Sequence, residues 1–218
     1  MVRPSPPLAM SLAARPINPL CNTPIWIVAG WITHPRGHIM SAETVTKSKV
    51  GVLISGRGSN LQSLIDASQA AQYPAEIVLV ISDKADAKGL DRAAKAGIPT
   101  KVIERGGYAD KAAFEAAINE ALQAAGADIV CLAGFMRLLS GEFVGQWLGR
   151  LINIHPSLLP SFKGLHAQAQ ALAAGVRIAG CTVHFVTADM DAGPIIQQAS
   201  VPVLTDDTEE SLSDRILT

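Results

Sequence analysis

From Lys49 onward, short runs of apolar residues alternate with longer segments in which apolar residues recur every three or four positions. The short runs are rich in Val and Ile, which is typical of β-strands buried on both faces. The longer segments have the spacing of helices that bury one face. This alternation predicts a Rossmann-like α/β fold, in which a mostly parallel sheet carries helices on both faces.

The pattern up to residue 155 assigns strands and helices in alternation. Strands are predicted at 50–55, 76–82, 100–104, 128–134 and 151–155. Helices are predicted after residue 60, at 89–96 and at 109–125. The last of these helices places its larger apolar side chains on one face, namely Phe114, Ala117, Ile118, Ala121 and Leu122.

Beyond Pro160 the pattern changes. Two strand-like runs, 180–187 and 194–203, are joined by the turn-rich segment ADMDAG, which predicts a C-terminal antiparallel hairpin. Asp207 and Glu210 are then predicted to form the N-cap and capping box of a final helix. Its apolar stripe runs to the last residue without a C-cap signal, so we expect 49–218 to be a C-terminally incomplete domain.

Residues 1–48 have a different composition, with frequent Pro and no Asp, Glu or Lys before Glu43. A secretory signal, an organelle transit peptide and an untranslated stretch before a start at Met40 are the three interpretations. We favour the start at Met40, because a short polar lead from there enters the first strand. Residues 1–48 are therefore predicted to be an extension, either disordered or not translated.

The overall composition limits the partners and the compartment. The 218 residues carry a net charge of −1, so no global field attracts nucleic acid or an anionic membrane. No apolar run reaches the roughly 18–20 residues that span a bilayer. The cysteines are scattered and no C-x-x-C occurs. We therefore expect a cytoplasmic protein without a metal site, a disulfide framework, nucleic acid or a membrane.

The stretch LINIHPSLLP, 151–160, is the strongest candidate for chemistry. Asn153 and His155 lie on the same side of a strand because strand side chains alternate with period two. Prolines follow at once and fix the direction of the chain. A lone His is usually a packed core residue, but this pairing at a strand end favours a catalytic role, with His as the proton carrier.

The segment GRGSN, 56–60, follows the first strand and opens a helix. Neither the dinucleotide fingerprint nor the Walker pattern fits, because Leu61 occupies the third glycine position and no Gly-Lys-Ser/Thr is present. The remaining interpretation is a cradle for one phosphate, formed by Gly58, Ser59 and Asn60. A plain tight turn is the alternative.

The tip of the predicted hairpin carries Asp189 and Asp191. A solvated turn is the ordinary interpretation, and a calcium loop lacks its other ligands. The functional interpretation pairs one carboxylate with His155, because a nearby negative charge favours the imidazolium form. Imidazolium and the Asn153 amide would then stabilise an oxyanion. His184 serves either this site or the core.

Two further features describe the chemistry. No Ser or Cys lies in a nucleophile elbow, so we expect direct acyl-group transfer through a tetrahedral intermediate. The apolar segment AGFMRLLS, 133–140, either packs in the core or forms a slot for a flat heterocycle beside the catalytic strand.

Four segments carry a resemblance: GRGSNLQ, LAGFMRLLS, NIHPSLLPSFKGLH and GCTVHFVTADMDAGPII. Together they resemble phosphoribosylglycinamide formyltransferases, most closely the bacterial form, from about Lys49 to the end. The resemblance implies transfer of a formyl group from the co-substrate 10-formyltetrahydrofolate to the amine of glycinamide ribonucleotide, in de novo purine (IMP) biosynthesis. It also implies a cis Leu159–Pro160 bond.

The resemblance assigns roles by position. Asn153 would bind the formyl oxygen, His155 would donate the proton, and Asp191 would favour its charged form. Gly58, Ser59 and Asn60 would hold the phosphate of the ribonucleotide. The folate contacts would come from Lys111, Met136, Arg137, Leu138, Leu139, Asn153, Thr187, Ala188, Asp189, Met190 and Asp191.

Other members of the wider group share the Asn-x-His pair and the later Asp. Methionyl-tRNA formyltransferase would be expected to add a C-terminal domain and a basic surface, and formyltetrahydrofolate hydrolase an N-terminal regulatory domain. An inactive folate- or nucleotide-binding fragment is a third alternative. The phosphate cradle favours a small phosphorylated acceptor, and a monomer or a homodimer is expected.

Overall fold

The computed structural model describes residues 46–217, and within them the chain forms one seven-stranded sheet. The strands are β1 (Ser48–Ile54), β2 (Ala75–Ser82), β3 (Thr100–Val102), β4 (Ile129–Leu132), β5 (Leu151–His155), β6 (Ile178–Phe185) and β7 (Ile195–Pro202). The helices are α1 (Ser59–Ser68), α2 (Lys88–Lys95), α3 (Lys111–Ala124), α4 (Gly141–Gln146), α5 (Ala167–Ala173) and α6 (Glu209–Leu217). None of these helices is both long and apolar enough to cross a membrane.

The strand order is β3-β2-β1-β4-β5-β6-β7. The five strands from β3 to β5 pair in parallel, whereas β6 and β7 are antiparallel additions at one edge. The predicted mostly parallel sheet and its C-terminal hairpin are therefore confirmed.

The two faces of the sheet bury two separate cores, because alternate residues of each strand point to opposite sides. On one face, Leu53 and Val130 pack in a cluster with Phe114, Ile118 and Leu122 of α3. On the other face, strand residues that include Val52, Ile54 and Val80 pack with Leu61 and Ile65 of α1. Helices thus cover both faces, as the continuous apolar strands predict.

After β1 the chain continues to strands on one side of the sheet, and after β4 it continues to strands on the other side. β1 connects outward through β2 to β3, while β4 lies on the other side of β1 and leads to β5. The loops after β1 and β4 therefore diverge and open a crevice at the carboxyl ends of the strands, which is where ligands bind in open α/β sheets. Ser55 joins the two loops, because its Oγ accepts from the Met136 N–H at 2.8 Å and its N–H donates to the Gly134 carbonyl at 3.1 Å.

Some local predictions differ from the structure. The capping box of α6 is shifted by one residue: Thr208 and Ser211 exchange side-chain and backbone hydrogen bonds at 3.0 and 3.1 Å. The predicted cap, Asp207, is instead held by both terminal nitrogens of Arg215, at 2.6 and 2.7 Å. β3 is shorter than predicted, and the short helices α4 and α5 were not predicted. The predictions for residues 1–45 lie outside the described part.

Candidate active site

A cavity of about 610 Å³ opens at the carboxyl ends of β4 and β5. The side chains predicted for the catalytic centre and most of those predicted for folate line it together. They are Met136, Arg137, Leu138, Leu139, Asn153, His155, Thr187, Asp189, Met190 and Asp191. The structure therefore brings into one volume residues that are separated by as many as 55 positions in the chain.

His155 ends β5 and is only 6% exposed. Its Nε2 lies 3.0 Å from the Phe162 carbonyl oxygen, and its Nδ1 lies 3.4 Å from Asp191 Oδ2. A carbonyl and a carboxylate can only accept hydrogen bonds. Nε2 therefore carries a proton and donates to the Phe162 carbonyl, while the Asp191 carboxylate lies beside Nδ1.

Asp191 is fixed by its backbone as well as by its partners. Its Oδ2 accepts from the Gly164 N–H at 2.8 Å. Its φ is 49°, and the other non-glycine residues of the described chain with positive φ are Phe162 and His166, both at 56°. Such conformations are costly for residues with a Cβ and cluster at functional sites. Here they all lie in the two loops that enclose the catalytic side chains.

His184 stands directly opposite Asn153 in the antiparallel pairing of β5 and β6. Its Nδ1 lies 3.0 Å from the Phe185 carbonyl oxygen, so Nδ1 must carry a proton. Its Nε2 then accepts from Asn153 Nδ2 at 3.2 Å. Burial lowers the pKa of His184, which agrees with a neutral ring. The sequence left its role open; the structure places it at the site.

This contact orients the Asn153 side-chain amide. One N–H of Nδ2 is used by His184, which leaves the second N–H free to donate to a ligand in the cavity. Asn153 therefore presents a hydrogen-bond donor to the cavity, while both ring nitrogens of His155, on the same side of β5, face the protein oxygens of Phe162 and Asp191. Donors fixed in this way stabilise negative charge that develops on an oxygen.

The phosphate loop, residues 56–60, follows β1 and leads into α1. Gly58 has φ of 72° and precedes the first helical residues, Ser59 and Asn60. A second cavity of about 330 Å³, lined by Arg57, lies beside this loop and shares Gln168 and Glu209 with the larger cavity. The loop therefore lies next to a cavity that adjoins the one lined by Asn153 and His155.

The apolar segment after β4 combines both roles that the sequence left open. Leu139 is 8% exposed and packs in the core, whereas Met136 and Leu138 are 67% and 66% exposed at the cavity. Two exposed apolar side chains beside a buried polar centre form a surface suited to a flat heterocycle.

Asp83 is a site-supporting residue that the sequence analysis missed. It follows β2 directly, is 4% exposed, and its Oδ2 accepts from Arg137 Nε at 2.6 Å. Arg137 itself lines the cavity. Asp83 could have been found from the sequence, because it is a polar residue at the end of a buried strand, the pattern that identified His155.

Two residues of the predicted folate set lie outside the cavity lining. Lys111 starts α3 and pairs with Glu115 at 3.7 Å. Glu115 is a buried acid that was also missed; it accepts hydrogen bonds from the backbone N–H and the hydroxyl of Ser140, the N-cap of α4. Ala188 lies between lining residues, close to Gly141. The predicted cis bond between Leu159 and Pro160 is present.

In this open α/β sheet, an amide and an imidazole on β5 meet a carboxylate from the β6–β7 loop, a set of groups that suits a group-transfer enzyme. Comparison with known proteins then identifies the family: the formyl transferase family pattern matches residues 48–218, and the chain belongs to that family. The family resemblance predicted from the sequence is confirmed.

Individual relatives make the comparison sharper. Phosphoribosylglycinamide formyltransferase of Escherichia coli (strain K12) is 46% identical over 167 residues, which cover 77% of this chain and 79% of that protein. The crystal structure of phosphoribosylglycinamide formyltransferase from Brucella melitensis is 56% identical, with a TM-score of 0.76, and the match covers 78% of this chain and 88% of that chain.

A longer relative matches over the same part. The trifunctional purine biosynthetic protein adenosine-3 of Bos taurus is 59% identical over 170 residues, which cover 78% of this chain. The match spans only 17% of the length of that relative.

Proposed function

We propose that this chain transfers a formyl group from 10-formyltetrahydrofolate to the amine of glycinamide ribonucleotide, a step of de novo purine biosynthesis. The observation that carries the proposal is the convergence of Asn153, His155 and Asp191 at one end of the 610 Å³ cavity. Family membership and the names of the relatives supply the reaction class and the acceptor.

The acceptor is assigned to the phosphate loop and the space that joins it to β5. Gly58, Ser59 and Asn60 offer backbone N–H groups at the start of α1, where an anion is favoured by the helix dipole. The two cavities adjoin at Gln168 and Glu209, and we place the ribose across this boundary, between the loop and the catalytic centre.

The formyl donor is assigned to the larger cavity. Its flat ring system would lie against the exposed side chains of Met136 and Leu138, with the segment from Thr187 to Asp191 on the other side. Arg137 lines the same cavity while its guanidinium is held by Asp83, and it is a predicted contact of the donor. Lys111 and Ala188 remain predicted contacts.

The chemistry follows from these positions. The acceptor amine attacks the formyl carbon, and the new C–N bond gives a tetrahedral intermediate. Its oxyanion accepts from Asn153 and from His155, whose ring exchanges the Phe162 carbonyl for the substrate. Collapse of this intermediate breaks the bond between the formyl carbon and the folate nitrogen. His155 gives its proton to the leaving nitrogen and takes up the proton that the amine loses, while Asp191 stabilises its charged form. No covalent enzyme intermediate is needed.

The same proposal includes the partners and the compartment. Both substrates are small molecules, and we propose a cytoplasmic enzyme that acts as a monomer or homodimer without nucleic acid or membrane. The buried Cys131 is a free thiol, which supports a reducing compartment.

The test measures formyl transfer by the 218-residue chain with glycinamide ribonucleotide, with initiator methionyl-tRNA and without acceptor. We expect turnover with the ribonucleotide only. His155→Ala should lower kcat by roughly 10²–10⁴-fold, the usual contribution of a general acid, with an unchanged melting temperature. Release of formate without acceptor would indicate a hydrolase. Formyl transfer to tRNA would indicate a different acceptor, and no turnover at all would contradict the proposal for this chain.

A further inference from the structure

We propose that Arg92, on α2, is a positioning residue for the phosphate loop: it holds the loop in the conformation that binds phosphate without taking part in the reaction. The inference rests on the proposed function, because it assumes that residues 56–60 receive the phosphate of the acceptor. It adds a residue from a helix that the sequence analysis connected with neither substrate.

The guanidinium of Arg92 joins the loop to α1. Its Nε donates to the Arg57 carbonyl oxygen at 3.0 Å, and its Nη1 donates to Gln62 Oε1 at 3.1 Å. The Gln62 amide nitrogen in turn donates to Asp66 Oδ1 at 2.8 Å. One side chain therefore fixes the middle of the loop and the first turns of α1 relative to each other.

The start of α2 also touches the loop through its backbone. The Gly89 N–H donates to the Gly56 carbonyl oxygen at 3.0 Å. A Cβ placed on Gly58 would lie 2.6 Å from Gly89 Cα and 3.4 Å from Arg92 Cδ. Glycines on both sides allow this close approach, which brings Arg92 within reach of the Arg57 carbonyl.

These contacts determine where the loop N–H groups point. The C=O and N–H of one trans peptide plane point in opposite directions. Since the carbonyl oxygens of Gly56 and Arg57 are directed at α2, the N–H groups of Arg57 and Gly58 are directed away from it. Neither N–H donates to another residue of the described chain. Arg92 thus keeps a donor of the loop turned outward for an anion.

The test uses the full chain labelled with ¹⁵N and titrated with inorganic phosphate, in the parent and in three variants. Arg92→Ala removes both hydrogen bonds. Arg92→Lys keeps the positive charge but loses the fork that reaches two acceptors. Lys95→Ala, an exposed cation near the end of the same helix, is the matched control for net charge. Amide shifts of Gly58, Ser59 and Asn60 report binding at the loop, and melting temperatures report the fold.

We expect Arg92→Ala to raise the phosphate Kd at the loop about tenfold, the size expected when a hydrogen bond from a charged donor is lost. Arg92→Lys should lie between this variant and the parent, and Lys95→Ala should match the parent. In formyl-transfer assays, the KM for the ribonucleotide should rise by a similar factor while kcat and the KM for the formyl donor stay within about twofold.

A phosphate Kd for Arg92→Ala within about twofold of the parent would overturn the inference. The inference would also be overturned if phosphate caused no saturable amide shifts at the loop of the parent. Equal losses in kcat and in both KM values would overturn it too, because they would indicate a purely structural role. If Arg92→Ala does not fold, Arg92→Lys and Gln62→Ala decide by the same criteria. Turnover of the parent with glycinamide ribonucleotide is measured separately, so failure of the proposed function is distinguished from failure of this inference.

Discussion

At the residue scale, the two buried histidines of the site have different surroundings. Both nitrogens of His155 face oxygen acceptors, whereas His184 has the Phe185 carbonyl at Nδ1 and, at Nε2, the Asn153 amide at 3.2 Å with Asp191 Oδ1 farther away at 3.8 Å. The hydrogen bonds of His184 fit a neutral ring that donates from Nδ1 and accepts at Nε2. His184 thus orients the Asn153 amide, whereas proton transfer by His155 belongs to the proposed function.

A neutral buried His184 should make stability depend on pH. Burial lowers its pKa in the folded state, so below about 6.5 the unfolded chain binds a proton that the folded chain does not. The free energy of unfolding should therefore fall as the pH drops from 7 toward the lowered folded-state pKa. His184→Gln keeps an acceptor for Asn153 and should flatten this dependence.

The measurement is urea unfolding at several pH values between about 5 and 8. His166→Gln is the matched control, because the side chain of His166 is 75% exposed and should leave the dependence unchanged. A parent curve that is flat over this range, or one that His184→Gln leaves as steep as before, would contradict a neutral His184.

The sequence was sufficient for some residues of the site and not for others. Asn153 and His155 could be predicted together because the period of a strand alone places them on one side. Their contacts with His184 and Asp191 depend on the register of β5 with β6 and on the path of the hairpin loop, both of which are tertiary. The pairing of Asp83 with Arg137 joins the ends of two different strands and carries no local pattern.

At the scale of elements, the phosphate loop depends on glycine for two separable reasons. Gly58 has φ of 72°, and a Cβ there would also overlap the backbone of Gly89. Gly97 has nearly the same φ, 71°, but a Cβ would meet nothing within 4 Å. Both substitutions to Ala should cost about 1 kcal/mol of stability from the left-handed backbone.

Only Gly58→Ala should also displace the loop from α2. We expect it to lower phosphate affinity more than tenfold, while Gly97→Ala binds phosphate like the parent. Phosphate titration followed by amide shifts, together with thermal unfolding, measures both effects. Equal affinity in the two variants would show that the close approach of Gly58 to Gly89 is irrelevant to binding.

The long, periodic elements were predicted well, and the short ones were not. Buried strands such as β1 and the fourteen-residue helix α3 repeat their pattern often enough to be recognised. α4 and α5 have six and seven residues, about two turns each, so tertiary contacts decide their existence. The N-cap of α6 was predicted at the wrong residue, because the Asp207 carboxylate accepts from Arg215, the seventh residue of the helix.

At the scale of the whole molecule, the order of strands assembles the site. β1 leads into the proposed phosphate loop, β4 into the apolar segment, and β5 carries Asn153 and His155, the proposed catalytic pair; the three strands are neighbours in the sheet. The antiparallel hairpin then brings His184 and Asp191 over the edge of β5. A parallel sheet with one antiparallel addition thus collects donors and acceptors that are distant in the chain.

This arrangement makes a prediction about the N-terminal boundary. β1 lies between β2 and β4, and its first residue donates from N–H to the Pro74 carbonyl at 2.8 Å. Within the part of the chain that the structure describes, the core contacts of β1 begin at Val50 and are made with residues after it. We therefore expect a chain that starts at Met40 to keep the melting temperature and the formyl-transfer activity of the 218-residue chain.

A chain that starts at Val52 is the matched control, because it removes the first half of a central strand and leaves the rest of the sequence intact. It should lose cooperative unfolding, since β2 and β4 would lose ladder partners and the core would lose Val50. Calorimetry and the transfer assay compare the three chains. A lower melting temperature for the chain from Met40 would show that residues 1–39 contribute to the fold, and the boundary predicted from composition would then be wrong.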